Sequence, residues 1–190
     1  MRNETLALIA SFAAMSLVVA SYFVKKKSYY LLLQILGILL LVVSYFFSLQ
    51  FFAMIGLTIG LLRTVTFFLY EKKEKASPIY WSFFFSAVTI SAYFILNYVI
   101  LKKSQPLDVL CLLSLVMYAF IFRIRNLKIV RFTMLIPLFL SALFNFLTHA
   151  AIFATLSYSF EFCANVVSII KYHIFRAKET NKKQNESKLS

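Results

Sequence analysis

Seven apolar stretches of membrane-spanning length, divided by short clusters of Lys and Arg, take up nearly all of this chain of 190 residues. A bilayer core is crossed by about 20 apolar residues in a helix. In lipid the backbone has no water to bond, so each stretch must satisfy its own N–H and C=O groups as an α-helix. The sequence therefore predicts an all-α, polytopic transmembrane bundle of about seven helices, over 5–24, 28–49, 51–70, 79–101, 107–122, 129–147 and 153–175. Residues 1–176 read as a single bundle, and 177–190 as a disordered basic tail on the cytosolic side.

Composition narrows the class of function. With 62% hydrophobic and 14% charged residues, the chain is well below the ~25% charge of soluble domains, and no water-soluble catalytic domain fits beside the bundle. The net charge of +13 does not point to a nucleic-acid partner, because the basic residues sit at helix ends, where the positive-inside rule puts them. Taken over alternate loops, one side holds Lys25 to Lys27, then Lys72, Lys73 and Lys75, then Arg123, Arg125, Lys128 and Arg131, then Lys171, Arg176, Lys178, Lys182, Lys183 and Lys188. The other side holds Arg2, Lys102 and Lys103, and Arg63 lies inside a helix. That bias predicts an N-terminus outside, a C-terminus in the cytosol, and anionic headgroups as partners of the cytosolic face. The first apolar run carries its charges after it, unlike a signal peptide, and reads as a permanent helix.

Local signals refine the layout. Gln50 marks a tight turn between the second and third runs; Ser77-Pro78 reads as an N-cap and first-turn proline for the fourth, with Tyr80 and Trp81 at headgroup depth. Pro137 predicts a kink in the sixth. Cys111 and Cys163 have no partner at metal or redox spacing and read as buried free thiols. Lys27 to Tyr45 repeats the pattern of Arg131 to His149, and Phe52 to Arg63 aligns with Phe160 to Lys171. This sets Arg63 opposite Lys171 and Gly56/Gly60 opposite Ala164/Ser168. The expected plan is a 3+1+3 parallel repeat with the fourth helix as spacer, a plan known in transporters.

The segments Gly60-Leu-Leu-Arg63-Thr-Val-Thr and Asn165-Val-Val-Ser-Ile-Ile-Lys171, with Asn145, Glu161, Asp108 and Arg176 in order around them, resemble the YgjV-type bacterial inner-membrane proteins over about residues 5 to 178. The resemblance implies a multi-pass protein of the bacterial inner (plasma) membrane with no defined biochemical activity. Its layout is similar to that of the SWEET sugar transporters and the nicotinamide riboside transporters. The family commonly carries Arg where Lys171 stands and Asn where Leu57 or Gly60 stands, so a polar site built from those positions is thinner here.

Arg63 is the costliest residue for a bilayer. It lies seven residues before Tyr70, about 10 Å inside the helix end. It either snorkels to the headgroups or, beside Gly56 and Gly60, turns inward as an anion or carboxylate ligand. Glu161, Asn165, Ser168 and Tyr172 form a polar stripe on one face of the seventh helix, for hydrogen bonds between helices or for a solute-lined cavity. Asn97 joins them as a candidate, and Asn145 and His149 read as capping or ligand-binding residues. The candidate substrate-binding set is Arg63, Asn97, Asn145, Glu161 and Asn165. Neither a metal cluster, a phosphate loop, a nucleophile elbow nor a carboxylate pair is present, so no cofactor, no metal and no enzymatic activity are expected. The leading expectation is a bundle that binds or moves a small polar or anionic solute between two three-helix halves. The alternative is a non-transporting membrane protein that scaffolds or regulates a protein partner or assembles with itself.

Overall fold

The computed structural model describes residues 2–47, 51–100, 106–148 and 152–175. The turn at Gln50, the loop with Lys102 and Lys103, His149 and the tail from Arg176 lie outside the described residues. Among the described residues there are seven α-helices and no strand: α1 (Arg2–Ser21), α2 (Lys27–Phe47), α3 (Phe51–Lys72), α4 (Ile79–Phe94), α5 (Asp108–Ile121), α6 (Leu127–Leu147) and α7 (Ile152–Ile169). α4 and α7 continue as π-helical turns over Ile95–Ile100 and Ile170–Phe175.

Among the described residues, four helical segments are long and apolar enough to cross a membrane: Lys27–Phe47, Met54–Lys72, Ile79–Ile100 and Leu127–Leu147. At most 33% of any of these spans is buried inside the molecule. Large apolar side chains such as Phe12, Phe83, Phe139 and Phe146 point outward. An apolar exterior of this extent suits lipid and not water. Thr5–Ser21 and Asp108–Ile121 are shorter apolar helices. The 14 residues of α5 rise about 21 Å at 1.5 Å per residue, short of the ~30 Å of a hydrocarbon core.

The helix ends follow local chemistry. After Ser21 the amides of Tyr22, Phe23 and Val24 bond back three residues, to Val19, Ala20 and Ser21, tightening α1 before the Lys25-Lys26 turn. α3 closes in a Schellman motif: Lys75 N–H reaches the Tyr70 carbonyl and Glu74 N–H the Glu71 carbonyl, with Glu74 at φ 54° where glycine is usual. α6 starts earlier than the apolar pattern suggests, because the Asn126 side chain accepts from Lys128 N–H at 2.9 Å. Ser77 does not cap α4. The cap position is Pro78, without a side-chain bond, and the buried Ser77 offers its carbonyl to Arg123 Nε at 2.9 Å. α6 runs through Pro137 without interruption.

α2 packs between α1 and α3, and α6 between α5 and α7; α4 links α3 to α5, and α1 touches α7. α1 and α2 come close at Gly37, where an added Cβ would lie 2.5 Å from Val18 Cγ2 and 3.2 Å from the Ala14 carbonyl. α1 and α2 are further joined by Ser44 Oγ donating to the Ala7 carbonyl at 2.8 Å and Gln34 Nε2 to Ser21 Oγ at 2.9 Å. Ser141 Oγ donates to Ser114 Oγ at 3.0 Å between α6 and α5. The core gathers Tyr22, Tyr30, Phe67, Phe122, Met134 and Leu138.

The matched punctuation of the two triplets has mixed outcomes. Lys27 and Arg131, near the starts of the two middle helices, are both buried. Arg63 is buried at 5% exposure, whereas Lys171 is exposed. Gly56 and Gly60 face open space and their own Arg63, not a neighbouring helix, whereas Ala164 and Ser168 are buried. The difference follows from packing, since α7 lies against α1 while α3 lies against α2 and α4. Cys163 is exposed and Cys111 half-buried, so neither is the fully buried thiol expected.

Candidate functional site

At the end of the bundle that carries the Lys and Arg clusters, a basin of about 940 Å³ opens between the α1–α2 turn, the end of α3, the α5–α6 turn and α7. Lys25, Lys26, Lys27, Lys72, Arg125, Lys128 and Arg131 line it, against Glu71 and Glu74. Glu71 is taken up by Lys27, Nζ to Oε2 at 3.2 Å. The positive excess is therefore presented to whatever enters. Their convergence from α1–α3 and α5–α7 on one concavity is a property of the fold.

The floor of the basin is built on the turn that follows α1, where the carbonyls of Tyr22, Phe23 and Val24 are met by side chains of α6 and α7. Ser168 Oγ donates to the Tyr22 carbonyl at 2.5 Å, Tyr172 Oη to the Phe23 carbonyl at 2.7 Å, and Arg131 Nη2 to the Val24 carbonyl at 2.6 Å. The Arg131 guanidinium also lies 4.8 Å over the Tyr172 ring, a cation–π contact. Asn165 Nδ2 donates to the Arg131 carbonyl at 2.8 Å. Most of the α7 polar stripe is thus spent on helix-to-helix bonds.

Beneath the floor lies a tyrosine cluster. The Tyr22 and Tyr30 rings meet edge to face at 5.7 Å, and Tyr30 meets Phe122 at 6.2 Å. Tyr22 Oη donates to Glu161 Oε2 at a long 3.5 Å. Arg63 does not snorkel. Its Nη1 donates to the Leu115 carbonyl at 3.0 Å, and its guanidinium carbon lies 5.7 Å from the Tyr118 ring centre and 5.5 Å from that of Phe122. Beside it, a cavity of about 100 Å³, partly open at Gly56, is lined by Gly56, Gly60 and Arg63 of α3, Thr89 and Tyr93 of α4, and Leu115 of α5.

The five sequence candidates do not meet in one pocket. Arg63 lines the α3–α4–α5 cavity, and Asn97 is near it, in contact with the Tyr93 hydroxyl, which also meets Asp108. Glu161 and Asn165 belong to the α1–α6–α7 side, and Asn145 bonds within its own helix, Nδ2 to the Ser141 carbonyl at 2.7 Å. Among the described residues no ion pair joins Arg63 to Glu161. The sequence marks Arg131 as a basic helix start matching Lys27 but does not show its inward role, nor the cluster of Tyr22, Tyr30 and Tyr118. The only available signal was tyrosine near the basic end of several apolar helices. The chain matches no family model, no curated protein and no solved structure.

Proposed function

We propose that this is a multi-pass protein of a bacterial inner membrane, related to the YgjV-type proteins, that takes a small anionic solute from the cytosolic side between two three-helix units. In this reading all seven helices cross the bilayer, N-terminus outside and C-terminus in the cytosol, with α1–α3 and α5–α7 inserted in the same direction and α4 as spacer. Local thinning of the bilayer or the residues flanking α5 make up its short length. The single observation that carries the reading is the basin, which draws basic residues from both triplets onto one concave surface of about 940 Å³. Such a surface attracts and concentrates anions. The like placement of Lys27 and Arg131 on the two middle helices supports the repeat.

Succinate and inorganic phosphate, titrated into purified protein in neutral-lipid nanodiscs, test this reading through the thermal unfolding midpoint, because a ligand of the folded form raises it. A saturable rise with either, lost in Lys26→Glu/Lys128→Glu, is expected. No rise with either contradicts solute binding in the basin.

A second reading is favoured by a different observation. Ser168, Tyr172, Arg131 and Asn165 are all engaged with backbone carbonyls, as in a closed structural seam. In that reading the protein does not transport and its basic face holds a protein partner or a second copy.

A further inference from the structure

We propose that the cavity between α3, α4 and α5 is a binding site for a short monocarboxylate, held by Arg63. The inference rests on the reading of the protein as a binder of small anions and places a second, deeper site away from the basin.

The cavity is made by helical periodicity. Gly56, Ile59, Gly60 and Arg63 line one side and Thr89, Ala92, Tyr93 and Leu96 the other, each set spaced i, i+3, i+4, i+7 so that a single face of each helix is used. On the α3 side the two glycines leave space: a Cβ at Gly56 would meet nothing within 4 Å, and one at Gly60 would meet only Arg63 Nη2, at 3.7 Å. In a membrane helix such small residues usually bring a neighbouring helix close. Here they hold a gap open next to a guanidinium.

Arg63 is 5% exposed. Of its donors, Nη1 is used on the Leu115 carbonyl. Nε is buried with no hydrogen-bond partner, and among the described residues Nη2 also has none. Nε and Nη2 lie on the same edge of the guanidinium, the edge that accepts a carboxylate in two parallel bonds. A buried cation with an unused fork is costly unless an anion completes it. Tyr118 and Phe122 supply only ring faces, and among the described residues no carboxylate reaches it. The apolar walls Ile59, Ala92, Leu96 and Leu115 strengthen such a pair by excluding water. About 100 Å³ holds a few waters' worth of ligand, enough for a short acid and too little for a nucleotide or a sugar phosphate.

The test uses the full chain in nanodiscs, with sodium acetate and sodium propionate titrated at constant pH and ionic strength against sodium chloride. The readouts are the ¹⁵Nε resonance of Arg63, assigned by its loss in Arg63→Lys, and the thermal unfolding midpoint. A saturable Nε shift with acetate or propionate, absent with chloride, is expected. Arg63→Lys keeps the charge and loses the fork, so the midpoint response should weaken about tenfold or more in apparent Kd. Gly56→Leu, at a position with room for its Cβ, should fold as the parent does and lose the response because it fills the cavity. No Nε shift with either acid, or an equal response to chloride, overturns the inference. So does a midpoint response that survives both variants. A carboxylate response abolished by Lys26→Glu/Lys128→Glu but kept in Arg63→Lys places the acid in the basin, which sinks this site and leaves the basin reading standing.

Discussion

Arg131 stands 4.8 Å over the ring of Tyr172 and donates to the carbonyl of Val24 at 2.6 Å, so that one guanidinium fastens α6 to both the end of α1 and the end of α7. Arg131 comes from α6 and Tyr172 from the turn that continues α7, and the carbonyls they bond, Val24 and Phe23, belong to the turn after α1. This contact is both the floor of the basin and the seam between the halves.

Removing that contact should loosen the seam. Arg131→Leu loses a charge-assisted hydrogen bond and a cation–π contact, and is expected to lower stability by about 2 kcal/mol, since the Val24 carbonyl can turn to water in the basin. Tyr172→Phe keeps the ring and loses only the bond to Phe23, at a cost of about 1 kcal/mol. Chemical unfolding in detergent, followed by Trp81 fluorescence, measures both. Equal, negligible effects would show that the seam is held elsewhere.

The α1–α2 crossing depends on Gly37. Gly37→Ala places a methyl 2.5 Å from Val18 Cγ2, an overpacking expected to cost about 1–3 kcal/mol. Because the obstructing atom belongs to a side chain, Val18→Ala in the same protein should recover a large part of the loss, a coupling that a double-mutant cycle reads directly. Strict additivity would mean that the helices shift apart instead, away from the Ala14 carbonyl as well.

Lys27 and Glu71 join α2 to α3 at the rim of the basin, with side chains 5% and 18% exposed. Glu71→Gln leaves a buried ammonium without its counter-charge and should lower the unfolding midpoint more than Lys27→Met/Glu71→Gln together. If the single change is the milder of the two, water already solvates Lys27 and the pair is a surface one.

The positions of the helices were legible in the sequence because long apolar runs fold as helices and basic residues gather in most of the gaps between them. The same property hid which face of each helix turns inward. A helix that is apolar all round carries no stripe to aim it, and lipid tails attract it as well as another helix does. The close approach of α1 to α2 is at Gly37, which has no small partner four residues away to mark it, while Gly56 and Gly60 face open space and their own Arg63. Ser77 looked like a cap and instead serves as an acceptor for Arg123, a residue 46 positions away. Of the candidate site, Arg63 was legible from its cost in a bilayer, and its inward aim from the glycines beside it. Arg131 was not, because a basic residue next to a loop has a sufficient topological explanation.

The most direct measurement of the central claim, two three-helix units inserted in the same direction with the basin on the cytosolic side, is the labelling of single cysteines by a membrane-impermeant thiol reagent. The positions are Lys26→Cys, Lys128→Cys and Ser104→Cys, each in a Cys111→Ser/Cys163→Ser background. Lys26 and Lys128 line the same basin from the two units, and the account predicts that both react only in inside-out vesicles while position 104 reacts in intact cells. Labelling of positions 26 and 128 from opposite sides, or of 104 from the same side as both, would contradict it.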